Sequence, residues 1–193
     1  EIKERNELEQ DMHFADAFPD IFTIIDTLKE LGYTKKIFTD SQIGVLEETE
    51  ILSKYDDWSF SYAYSNNVGT TVLIPSVILE ARHRNQSYFN EPQLMFWVKV
   101  NHDNGHYYIR EKSASEKVFD IFRDDDDIKM SHYESFTIQK GSGILTAIRI
   151  LQKFNDIRGI EAELHNNNLF IKTMKKPDIE DYKLITAIIK NIT

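Results

Sequence analysis

Cysteine is absent from all 193 residues. That removes disulfides, thiolate metal ligands and cysteine nucleophiles together, and it suits a reducing cytoplasm, the expected location. Long apolar runs are also missing. The longest, Val72-Leu73-Ile74 continuing past Pro75 to Val77-Ile78-Leu79, is interrupted and too short for the ~20 helical residues that cross a bilayer. Basic charge is in deficit: 32 acidic side chains face 23 basic ones, a formal net charge of -9. A chain so charged repels the phosphate backbone of nucleic acids, and it steers toward a partner with a basic surface. Finally, no catalytic signature is present. His13, His83, His102, His106, His132 and His165 are scattered, and no nucleophile, acid or base is placed beside another by local spacing.

What is present is an ordinary globular composition, 41% hydrophobic and 28% charged, long enough to bury one core without staples. The expected organisation is a polar N-terminal segment over 1–17, read as a frayed helix, followed by a single α+β domain over 18–193. Pro19, Asp20 and the stripe Ile21, Ile24, Ile25, Leu28, Leu31, ending at Gly32, predict a helix with one buried face over 20–31. A further helix is expected within 40–54, with Asp40 and Ser41 as caps. From Trp58 the period becomes two, and Trp58, Phe60, Tyr62 and Tyr64 form a stripe read as core. Residues 70–82 read as a strand in which Pro75 must sit at an edge or a bulge. Residues 93–101 and 106–112 read as a hairpin closed by Asp103-Asn104-Gly105, since Asn-Gly suits a type I′ turn. Ser115 to Phe122 read as helix.

The last third follows the order β-α-β-β-α: a strand at 134–139, a largely buried helix at 143–157, strands at 160–165 and 169–174, and a helix over 178–191. The fold class is therefore α+β. Its expected form is an antiparallel or mixed sheet of about six to seven strands, with helices packed mainly on one face.

Two sets of residues stand out as candidate sites. Lys140, Gly141, Ser142 and Gly143 join a strand to a helix, where free backbone N–H groups and the helix dipole suit a phosphate or carboxylate. The spacing matches neither the dinucleotide nor the P-loop fingerprint, and a Gly-Ser-Gly turn is also the simplest strand-to-helix joint. On the hairpin, alternation puts Leu94, Phe96, Val98, Val100 and Ile109 on one face and Met95, Trp97, Lys99, Tyr108 and Arg110 on the other. The second set has the residue types enriched at protein interfaces, set against the alternative that helices cover it.

Other clusters read as bland. His102 and His106 flank a turn, so they point to opposite faces and do not form a metal pair. Asp124 to Asp127 read as a solvated acidic loop, and Arg82, His83 and Arg84 as a local basic patch. Glu161, Glu163 and His165 share a strand face, read as the wet side of a sheet. No catalytic residue, metal ligand or cofactor is expected. The expected function is a non-catalytic protein-interaction module, of the adaptor, chaperone-like, immunity or inhibitor kind. The alternative is a regulatory domain or enzyme that takes a small anionic or phosphorylated ligand at the Lys140–Gly143 turn.

Overall fold

A computed structural model describes residues 18–79, 89–101, 103–112 and 128–192. The expectations for residues 1–17, Arg82 to Arg84, His102, Ser115 to Phe122 and Asp124 to Asp127 lie outside the described residues.

Local signals place the first helix. Pro19 fills a first-turn position, Asp20 complements the dipole, and α1 (Pro19–Glu30) buries Ile21, Ile24, Ile25 and Leu28. The short strand β1 (Thr34–Lys35) follows. The next region is two helices rather than one. In α2 (Asp40–Glu47) the cap is Thr39, not Asp40 or Ser41, and Thr39 and Gln42 satisfy each other's backbone N–H groups in a capping box. In α3 (Glu50–Ser53) the Thr49 hydroxyl accepts from Leu52 N. Then come β2 (Asp57–Ser65), β3 (Thr70–Leu79), β4 (Phe89–Pro92), β5 (Met95–Lys99), β6 (Gly105–Glu111) and β7 (Tyr133–Lys140). The chain closes with α4 (Ile144–Gln152), β8 (Ile160–His165), β9 (Asn168–Thr173) and α5 (Ile179–Ile189).

Among the described residues the strands form one open nine-stranded sheet in the order β1-β2-β3-β5-β9-β8-β6-β7, with β4 also paired to β3. Every pairing is antiparallel. The sheet exceeds the expected six to seven strands because the short β1 and β4 add to it.

The expected hairpin of β5 and β6 does not form. β5 pairs with β3 and β9, and β6 pairs with β7 and β8. The β8–β9 hairpin lies between them, and Val100 and Asn104 meet its tip. Val100 N donates to Asn167 O and Asn104 N donates to Asn166 O, at 3.0 Å each. Asn104 and Gly105 therefore serve a crossover rather than a two-residue turn, and Gly105 keeps a φ of +90°.

Pro75 sits opposite Phe60, beside an irregularity between Phe60 and Tyr62, so the bulge expected of a proline in a strand is present. The bulge also splits the aromatic stripe between the two faces. Trp58 and Phe60 pack with Trp97 and Leu46, whereas Tyr62 and Tyr64 pack with Ile21, Ile25 and Ile74.

Helices lie on both faces. α1, α4 and α5 share the larger core with Leu94, Phe96, Val98 and Ile109. α2 and α3 cover the opposite face through Leu46, Ile51 and Leu52, which meet Met95, Trp97, Tyr108 and Phe170. In α4 the buried residues are Ala147, Ile150 and Leu151. Leu145 is 67% exposed, so that helix is less enclosed than its pattern suggests. Among the described residues no helix is long and apolar enough to cross a membrane.

Candidate functional site

The Lys140–Gly143 turn is shaped by a close approach of backbones. A Cβ on Gly141 would run into Gly105 N and lie 2.5 Å from Asn104 C, and one on Gly143 would lie 2.6 Å from Asn104 Oδ1. Two glycines of the turn are thus required for β7 and α4 to pack on the crossover before β6. Gly141 N donates to the Tyr107 hydroxyl at 3.4 Å, so one N–H that an anion would use already has an acceptor. Gly143 caps α4 with no side-chain hydrogen bond. Ser142 and Lys140 are exposed beside it.

The second candidate set is brought onto one face, but β8 and β9 separate its two halves. The register forms rungs across the sheet. One runs Met95, Lys172, Glu161, Arg110, Glu134; the next runs Trp97, Phe170, Glu163, Tyr108, Phe136; a third runs Lys99, Asn168, His165, His106, Gln139. Met95 and Trp97 are 0% and 4% exposed and Tyr108 is 8% exposed, because α2 and α3 lie over them. The interface face expected from the sequence is therefore covered at its centre, and Lys99 and Arg110 remain exposed at its margin. Phe38 stacks on Trp97 with centroids 5.9 Å apart, and the indole Nε1 donates to Asn168 Oδ1 at 2.8 Å.

Under the same two helices lies a buried polar network, and here the wet-face reading of Glu161 and Glu163 is corrected. They are 2% and 0% exposed, and Lys172 is 0% exposed. Lys172 Nζ donates to Gln93 Oε1 at 2.6 Å and to the Tyr55 hydroxyl at 3.1 Å, and it lies 3.5 Å from Glu161 Oε2. Glu161 Oε1 accepts from the Tyr108 hydroxyl at 2.9 Å and pairs with Lys54. Desolvation pushes the Lys172 ammonium down to about 8 against the opposing pull of Glu161. Desolvation and the Glu161 carboxylate push the Tyr108 and Tyr55 hydroxyls up.

Beside this network, Glu163 Oε1 lies 2.7 Å from His106 Nε2, and Glu163 Oε2 accepts from Ile51 N at 3.0 Å. His165 stacks on His106 with centroids 4.2 Å apart and planes inclined by 12°. Desolvation, and then His106, hold the His165 imidazole below the usual histidine range. His106, Glu163 and His165 each offer one ligand atom, all within 4.8 Å of one another. Both carboxylates lie beneath α2 and α3, with Glu163 bonded to the Ile51 N–H and Glu161 paired with Lys54. The sequence held one unread signal of the network: Lys172 ends the otherwise apolar run Leu169-Phe170-Ile171, and a lysine in a buried strand needs a counter-charge.

The outer edge of the sheet is different. β7 ends the strand order, and among the described residues no strand pairs with its far side. Lys112 N donates to His132 O; by antiparallel alternation, Glu134 and Phe136 then bond inward and Ser135 and Thr137 turn their N–H and C=O groups outward. Glu50, Tyr108, Arg110, Phe136 and Ile138 line a shallow groove of about 310 Å³ alongside. Arg110 lies 5.2 Å over the Phe136 ring and pairs with Glu134 at 2.8 Å.

No family model, curated protein or solved structure matches this chain.

Proposed function

We propose that this chain is a non-catalytic protein-interaction module, of the adaptor, chaperone-like, immunity or inhibitor kind, which adds an extended segment of its partner to the edge of β7. The observation that carries this reading is the open edge itself, next to an apolar groove. A strand whose Thr137 turns its N–H and C=O groups outward next to an exposed Ile138, 47% accessible, offers main-chain hydrogen bonds for affinity, whereas Ser135 is buried and donates its hydroxyl to Ile128 O. The Phe136–Ile138 groove offers side-chain selectivity. Two residues of the expected interface set, Tyr108 and Arg110, line that groove. The net charge of -9 favours a partner with a basic surface by steering the encounter.

A small anionic ligand at Lys140–Gly143 is the second reading. It is less favoured because the close approach to Asn104 and Gly105 already accounts for Gly141 and Gly143.

The test uses Thr137→Pro, which removes an N–H that no ladder bond uses and which an edge strand tolerates. Proteins retained by the immobilised wild-type chain are compared with those retained by Thr137→Pro and by Lys183→Ala, on the far helix. Loss of a retained partner with Thr137→Pro alone, at an unchanged melting temperature, is the expected result. Retention by all three overturns the edge reading. Concentration-dependent dimerisation abolished by Thr137→Pro would identify the partner strand as a second copy of this chain.

A further inference from the structure

We propose that His106, Glu163 and His165 form a binding site for one divalent transition-metal ion of the zinc class. The residues come from adjacent strands and face the same side. His106 and His165 are direct cross-strand partners, and Glu163 precedes His165 by two positions, so it lies diagonally across from His106. Two imidazoles and a carboxylate are the donor set that zinc takes with a fourth position left for water.

Two observations beyond proximity point to a cation. Glu163 is fully buried, and a buried carboxylate demands compensating positive charge. The lysines nearest to it do not supply it, since the buried Lys172 and the exposed Lys54 both pair with Glu161. In addition, among the described residues His165 Nδ1 is buried with no hydrogen-bond partner, an acceptor or donor left without an occupant. The Ile51 N–H on Glu163 Oε2 leaves Oε1 to face the ion and fixes the carboxylate, as outer partners do in metal sites. Ion capture breaks the His106 Nε2···Glu163 Oε1 contact. Both atoms then bind the metal, and the neutral imidazole of His106 carries its one ring proton on Nδ1, leaving Nε2 as the ligand atom. The near-parallel rings also require a turn of His165 about its side-chain bonds, for which its partial exposure leaves room.

The experiment is titration of the chelator-treated full chain with Zn²⁺, by calorimetry and by melting temperature, repeated with Co²⁺ to read ligand geometry from its visible absorption. One ion per chain, a raised melting temperature and a four-coordinate cobalt spectrum are expected. His165→Gln, which leaves the His106–Glu163 pair in place, should weaken binding at least 100-fold while keeping the metal-free melting temperature. Glu163→Gln, which keeps an acceptor for Ile51 N, should do the same. If either variant does not fold, the other still decides. Binding unchanged in the folded variant, six-coordinate cobalt, or no uptake by the wild type would overturn the site. A protein partner at β7 would be unaffected by these outcomes.

Discussion

Gly141 lies against Gly105 so closely that a methyl on either would strike the backbone of the other: a Cβ on Gly105 would sit 2.5 Å from Gln139 O and would also run into Gly141 N. This contact locks the end of β7 to the crossover before β6, and neither backbone has room to give.

Gly141→Ala should therefore destabilise the fold by about 1–3 kcal/mol, as over-packing does. For a chain of this size that is a fall in melting temperature of roughly 2–12 °C. Differential scanning calorimetry checks it. An unchanged midpoint would mean the turn is looser than described and would return weight to an anion at Lys140–Gly143.

Trp97→Ala should lower stability by about 3–5 kcal/mol, because the indole is buried between Phe38, Phe170 and the α2 cover. Urea denaturation reads the change. A variant as stable as the wild type would show that the covered face opens and that Trp97 is available to a partner.

Lys172 gives a pH signature. Its folded-state value near 8 lies below the ordinary lysine value near 10.4, so between those pH values the unfolded chain binds more protons. Stability from this group then rises with pH through that window, and below about pH 8 the full cost of the buried ammonium is felt. Tyr108 and Tyr55 act oppositely only above pH 10, where their raised values keep them protonated in the fold. Chemical denaturation at pH 7, 8, 9 and 10 should show the wild type gaining on Lys172→Met as pH rises. Parallel curves would place the ammonium in contact with water.

What could be read from the sequence was whatever is decided locally. The Pro19-Asp20 start of α1 and four of its five stripe residues (Leu31 lies past the helix end and is exposed), the asparagine turn between β8 and β9, and the in-out alternation of Met95 to Lys99 all depend on neighbours within a few residues. Strand partners do not. Asn104-Gly105 carries the local chemistry of a hairpin turn, yet β8 and β9 outbid β6 for the edge of β5 by burying Phe170, Leu169 and Ile171. The same non-local pairing conceals the polar network. Glu161, Glu163 and His165 look like a wet face until Lys172, His106 and Tyr108 arrive beside them from other strands. The bulge at Phe60 and Tyr62 is a third case, since one extra residue reverses the facing of everything beyond it.

The order of the sheet also governs how the chain can be made. β5 and β6 are synthesised well before β8 and β9, the hairpin that separates them, so until residue 173 is available both strands present raw edges across a gap two strands wide. Closing that gap is a late, long-range step, which slows folding and lengthens the interval in which the nascent chain can pair with the wrong neighbour. An organism producing this protein in quantity would need the β8–β9 hairpin to form quickly on its own, and its Asn166–Asn167 turn is the feature that makes this possible.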